Sequence, residues 1–217
     1  MKKFDLTLYL VAGKGDLTEE AFLQRVEDAC QGGVTLVQLR EKGMDGGPLL
    51  ALAGKVKKIT DRYQVPLLID DRVDVAFACR AAGVHLGQSD LPPEEARKIL
   101  GGDAIIGVTV KTLEQGKAAV AAGADYFGVG AVFPTSTKKE AVHTPLEKIE
   151  EICRTFLVPC VAIGGISLEN VNVLSRVPIH GIAVVSAIMG AERPKEAARA
   201  LREKVEALPG WKETHLS

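Results

Sequence analysis

Eight short apolar runs recur along the chain, separated by amphipathic stretches. The first two are LTLYLVA at 6 to 12 and TLVQLRE at 35 to 41; PLLIDD, GVHLGQ, AIIGVTV, YFGVGAV, PCVAIGG and GIAVVSAI follow. Runs that are apolar at nearly every position suit strands buried on both faces. The stretches between them repeat apolar residues at helical spacing, for example Thr18 to Cys30, Pro48 to Tyr63, Pro93 to Leu100, Leu113 to Ala122 and Pro194 to Ala207. Alternation of this kind demands parallel strands joined by helical crossovers. The pattern predicts eight strands and eight helical connections closing into one (β/α)8 TIM barrel across residues 1 to 217, with a C-terminal tail that frays after about residue 209. An open doubly wound sheet usually carries Gly-x-Gly-x-x-Gly after its first strand, whereas Tyr9 to Asp16 supplies only Gly-Lys-Gly.

Composition narrows the function classes. Hydrophobic residues make up 47% and charged residues 25%, which allows a full core and excludes a disordered chain. A net charge of -1 provides no global basic field for nucleic acid or an anionic membrane, so any anion site must be local. The N-terminal MKKFDLTLYLVAGKGD is too short and polar for a signal peptide or membrane span, and a cytoplasmic location is expected. Cys30, Cys79, Cys153 and Cys160 form no Cys-x-x-Cys pair and read as reduced core thiols.

Chemistry in such a barrel gathers at the C-terminal strand ends. The third strand delivers two adjacent acids, Asp70 and Asp71. Consecutive strand residues point to opposite faces, so the two should diverge, with one at most facing a pocket. Taken alone, one would cap the following helix and the other would be solvated. The second strand exits through Gln38, Leu39, Arg40, Glu41 and Lys42, where a period of two places Gln38, Arg40 and Lys42 on one side. An Arg fork beside a Lys point charge matches a diphosphate. The fourth strand ends in Gly87, Gln88, Ser89 and Asp90, and Asp90 alone would read as a cap for the helix beginning near Pro92. Together, an acid from each of strands three and four and a basic pair from strand two suit Mg²⁺ bridged to a diphosphate. Across the barrel, Thr135, Ser136, Thr137, Lys138 and Lys139 after strand six, the glycines after strand seven and Val185-Ser186 after strand eight suggest a second anionic ligand. His85 lies within a strand and reads as a core or supporting residue, while Lys111 and His143 receive no separate role.

QLREK at 38 to 42, LIDDRVDVA at 68 to 76, GVHLGQSDLP at 83 to 92, GVGAVFPTSTKK at 128 to 139, VAIGGIS at 161 to 167 and VVSAI at 184 to 188 together resemble the thiamine-phosphate synthase family. The resemblance spans nearly the whole chain. QLREK, the Gly-Gln-x-Asp element and the FPTxTK loop are its specific parts. It implies an enzyme that joins 4-amino-2-methyl-5-(diphosphooxymethyl)pyrimidine to a 4-methyl-5-(2-phosphoethyl)thiazole, or its carboxylated form, releasing thiamine phosphate and diphosphate. By position, Gln38 to Lys42 (with Leu39 and Glu41), Asp70, Thr109 and Lys138 would surround the pyrimidine diphosphate. Arg40, Lys42 and Lys138 would assist its departure, and Asp71 and Asp90 would ligate Mg²⁺. Thr135, Ser136, Thr137, Gly165, Val185 and Ser186 would bind the thiazole phosphate. The family's mechanism is dissociative, so a closing loop at Gly43 to Gly47 or Ser136 to His143 is expected to exclude water.

Two positions depart from the family's pattern: Asp70 stands where Asn is usual, and Thr109 where Ser is common. Thr keeps the hydroxyl, but Asp loses a donor and adds a charge beside the diphosphate. The related thiazole tautomerases need neither magnesium nor a diphosphate grip and lack the Gly-Gln-x-Asp element. A non-catalytic barrel that senses a phosphorylated metabolite would leave Arg40 and the acids unexplained.

Overall fold

The computed structural model describes residues 4–134, 143–209 and 211. Eight parallel strands close into a barrel in sequence order: β1 (Leu8–Ala12), β2 (Leu36–Leu39), β3 (Leu67–Asp70), β4 (Gly83–Leu86), β5 (Ile105–Val110), β6 (Tyr126–Val129), β7 (Cys160–Ile163) and β8 (Gly181–Val184). Closure is made by β1 against β8, with Leu8 opposite Ile182. The helices are α1 (Glu19–Gln31), α2 (Gly46–Arg62), α3 (Val73–Cys79), α4 (Pro93–Leu100), α5 (Leu113–Ala121), α6 (Leu146–Thr155), α7 (Ser186–Met189) and α8 (Pro194–Glu206).

The helices begin where local chemistry favours them. The Thr18 hydroxyl accepts from Ala21 N at 3.2 Å and Thr112 does the same for Gln115 N, satisfying N–H groups that have no partner inside the helix. In α1, Phe22, Val26, Ala29 and Cys30 share one face and are all buried against the sheet. The connection between β7 and β8 departs from the expected helix and makes only a turn of 3-10 helix at Val171–Leu174. Asn170, Val171, Asn172 and Val173 are weak helix formers, and Pro178 bars continuation. Of the two segments expected to close over the site, Gly43 to Gly47 ends in the first turn of α2, which Gly46 and Gly47 form, and Ser136 to His143 lies outside the described residues but for His143.

Strand parity splits the core into two layers. Leu8, Leu10, Val37, Leu39 and Ile69 pack outward beneath the helices, in one cluster with Phe22, Val26, Leu52 and Val56. Leu6, Tyr9, Val11, Leu36, Leu68, Ile105, Tyr126, Val161 and Ala183 fill the barrel interior. Trp211, within the expected tail, packs against the outer layer; Gly210 and 212–217 fall outside the described residues. No described helix is long and apolar enough to cross a membrane.

Candidate active site

A pocket opens at the C-terminal end of the barrel, and its lining divides by chemistry. Tyr9, Gln38, His85 and Thr109 supply uncharged polar groups; Arg40, Asp70 and Lys111 supply charge; Gly164, Gly165, Val185 and Ser186 supply backbone. Register explains the convergence. Val11 pairs with Gln38, Asp70 with His85, and Thr109 with Gly128, so inward positions from adjacent strands meet at one level.

Of the two acids at the end of β3, Asp70 alone lines this pocket, as expected, yet the two do not point fully apart. Lys42 Nζ lies 3.1 Å from Asp70 Oδ2 and in contact with Asp71 Oδ2, so both carboxylates meet one ammonium. The strict alternation expected of a strand fails because Asp71 has φ 58°, in the left-handed region that Asp tolerates better than most residues. Asp71 N still donates to His85 O at 2.9 Å, so the turn begins at the strand's last ladder bond. Asp70 also lies 3.3 Å from Arg40 Nε, yet its carboxyl is pushed up to about 6. Burial is the main cause and the neighbouring Asp71 charge adds to it, against the pull of Lys42 and Arg40.

Asp71 in turn lies close enough to Asp90 for each carboxyl to shift the other. Burial raises the Asp71 carboxyl, but the neighbouring Asp90 carboxyl and the Lys42 ammonium bring it below the ordinary range; Asp90 is raised by burial and by Asp71. Two carboxylates in contact must share a proton or a cation. Asp90 does not cap α4, whose N-cap is Pro92. Its Oδ2 accepts from Gly87 N at 2.7 Å and folds the β4 exit back on itself, which aims the carboxylate at Asp71. Among the described residues no three His, Cys, Asp or Glu side chains form a metal cluster. A pair of hard oxygen donors nevertheless fits a small divalent cation that draws its remaining ligands from water and substrate.

Within QLREK the roles separate. Gln38 and Arg40 line the pocket, and Lys42 bridges the acids. Leu39 is fully buried in the outer layer, facing the helices. The Glu41 carboxylate accepts from Lys14 N and ties down the β1 exit, where Gly13 comes so near Arg40 O that a Cβ would sit 2.8 Å from it. Parity therefore gives Gln38 and Arg40 to the pocket and Leu39 to the core.

The pocket floor is a hydrogen-bonded series that the sequence reading missed in part. Gln38 Nε2 donates to Tyr9 OH at 2.5 Å, Tyr9 OH meets Tyr126 OH at 2.9 Å, and Tyr126 OH meets His85 Nδ1 at 2.9 Å. His85 Nε2 lies 3.0 Å from Thr109 Oγ1. Tyr9 and Tyr126 look like ordinary core aromatics in sequence. The available signal was glycine inside strands, which marks close approach: a Cβ on Gly107 would lie 2.0 Å from the Tyr126 ring, and one on Gly128 3.0 Å from the His85 ring.

On the far side, Gly165 has φ 64° and packs against Pro134 O, and α7 begins at Ser186. Among the described residues, the N–H groups of Gly165 and Ser186 donate to no other backbone group. Thr135, Ser136, Thr137 and Lys138 lie outside the described residues. Lys111 lines the pocket, while His143 is exposed and does not.

Comparisons with known proteins agree with this geometry. A family model described as thiamine monophosphate synthase matches residues 8–188. The chain is 48% identical to a thiamine-phosphate synthase of Lacticaseibacillus paracasei over 96% of its own length and 98% of the relative's. It is 46% identical to one from Methanobrevibacter smithii, covering 95% and 99%. The solved structure of a thiamine phosphate pyrophosphorylase from Pyrococcus furiosus superposes with a TM-score of 0.85 at 37% identity, covering 94% of this chain and 96% of that one. Barrel, strand-end chemistry and likeness over nearly the full length of each relative converge on one conclusion: the chain belongs to the thiamine monophosphate synthase family of transferases.

Proposed function

We propose that the protein joins 4-amino-2-methyl-5-(diphosphooxymethyl)pyrimidine to 4-methyl-5-(2-phosphoethyl)thiazole, or its carboxylated form, giving thiamine phosphate and diphosphate. The observation that carries this reading is the division of one pocket into a neutral hydrogen-bonding floor and a charged rim. A flat aminopyrimidine with several donors and acceptors suits the floor, and its diphosphate suits Arg40 and Lys42 at the rim. The family resemblance adds Lys138 to that grip. It also adds Thr135, Ser136 and Thr137 to the thiazole-phosphate side, where the backbone N–H groups of Gly165 and Ser186 support anion binding.

Asp71 and Asp90 would hold Mg²⁺, which when bound neutralises charge on the departing diphosphate. The protein's own part is electrostatic. The methylene C–O bond breaks with its electron pair leaving on the diphosphate, and the guanidinium of Arg40 and ammonium of Lys42 stabilise that charge as it develops. The pyrimidine ring delocalises the resulting cation, and the thiazole nitrogen lone pair forms the new C–N bond. Nothing in this sequence asks for a protein nucleophile, and the buried floor keeps bulk water from the cation. Four unpaired thiols suit a reducing cytoplasm.

The decisive experiment is incubation of purified protein with both substrates and Mg²⁺. Thiamine phosphate should form. Absence of product overturns the activity, and an undiminished rate in excess chelator overturns the magnesium assignment.

A further inference from the structure

The four hydrogen bonds of the pocket floor run without a break from β2 to β5: Gln38, Tyr9, Tyr126, His85, Thr109. The two ends, Gln38 and Thr109, line the pocket together with Tyr9 and His85, Tyr126 lies behind them, and both tyrosines are fully buried. A buried hydroxyl needs an acceptor for its proton, and this fixes the sense of every bond once one is known. Gln38 donates to Tyr9, so Tyr9 donates to Tyr126, Tyr126 donates to His85 Nδ1, and neutral His85 carries its proton on Nε2 and donates to Thr109. The Thr109 proton is then directed to the pocket, and the Gln38 carbonyl is left as an acceptor. The opposite sense requires all of these protons to move together and the Gln38 amide to turn over. Burial keeps both phenols protonated, since each is raised well above the ordinary tyrosine range. The backbone is shaped around the series: Gly107 clears the Tyr126 ring and Gly128 clears the His85 ring.

We propose that Tyr9 and Tyr126 are positioning residues that couple the two ends of the floor, so that Gln38 accepts from the ligand only while Thr109 donates to it. The inference deepens the pyrimidine reading above and rests on it. A 4-aminopyrimidine offers an N–H donor beside ring-nitrogen acceptors, which matches this sense. Its 4-oxo analogue offers an acceptor oxygen beside a ring N–H, which matches the reverse. Discrimination between them is therefore a property of the series as a whole, to which Tyr9 contributes from the pocket lining and Tyr126 from behind it.

Two measurements test this. In the free wild-type protein, nitrogen NMR of ¹⁵N-labelled histidine should show His85 as one neutral tautomer protonated at Nε2, and Tyr126→Phe should abolish that preference. A wild-type His85 protonated at Nδ1, or a spectrum unchanged by Tyr126→Phe, overturns the proposal without reference to any substrate. In titrations with the 4-amino diphosphate and its 4-oxo analogue, Tyr9→Phe should narrow the ratio of affinities by about tenfold while leaving the ring's place filled. Equal weakening of both ligands would mean that the tyrosines serve shape alone, and would also overturn it. Wild-type protein that binds neither compound sinks the substrate reading itself; the tautomer spectrum then still decides whether the ends are coupled.

Discussion

Asp70 and Asp71 hold one ammonium between them, that of Lys42, although they are consecutive residues at a strand end. Asp71 reaches it by a left-handed turn, and the result is a crowded anionic corner in which Asp70 is the more buried member.

That corner sets a pH dependence of stability. The Asp70 carboxyl is raised to about 6 in the fold, so folding disfavours its charged form. The penalty is present above pH 6 and is relieved as pH falls toward the unfolded value of about 3.9, amounting to on the order of 3 kcal/mol at full ionisation. Asp70→Asn should therefore stabilise the protein in urea unfolding at pH 8, with most of the gain gone at pH 4. A gain of equal size at both pH values would show that the carboxylate's charge is not its cause. The same variant should tighten binding of the pyrimidine diphosphate at pH 8, because an amide does not repel the ligand.

Asp71→Ala and Asp90→Ala should each lower turnover at limiting Mg²⁺ by at least about 100-fold. Both side chains are partly exposed at the barrel mouth, so circular dichroism and thermal melts should remain close to wild type. Near-wild-type rates for both variants would remove the metal assignment.

Leu39 separates a core role from a binding role. Its side chain lies in the outer layer, and Leu39→Ala should cost about 2–5 kcal/mol in chemical denaturation through the cavity it leaves. KM values measured on the folded fraction should be unchanged; a raised KM would place the residue in the binding machinery after all.

The barrel was legible because both-face burial writes itself as apolar runs, and because QLREK and GVHLGQSD put charge where runs end. Parity read the second strand correctly for Gln38 and Arg40. It failed at Asp71, where one positive φ overrides alternation, and periodicity holds no information on backbone sign at a non-glycine residue. Tyr9 and Tyr126 were hidden for a different reason: a buried tyrosine that fills space and one that carries a hydrogen-bond series are written with the same letter. The missing helix between β7 and β8 left weaker traces, in two asparagines and a proline.

Gly107 tests how tightly the interior is built. A methyl there would lie 2.0 Å from the Tyr126 ring, so Gly107→Ala should lower stability by about 1–3 kcal/mol and disturb the His85 nitrogen signals at a distance. Signals that stay in place while stability falls would confine the damage to the backbone.

The Lys42 ammonium also bears on when the enzyme becomes dependent on its environment. An acidic cluster lacking a cation would strain the fold until magnesium arrived, and assembly would then wait on ion supply. Here the chain carries its own resident counter-ion, held between Asp70 and Asp71, the second of which is also a proposed metal ligand. Folding and loading thus become separate events: a chelator should leave the melting temperature of the wild type unmoved, whereas Lys42→Met should make it climb with added Mg²⁺. Under the proposed metal assignment, a newly made chain would mature in a magnesium-poor moment and still accept the ion with its substrate.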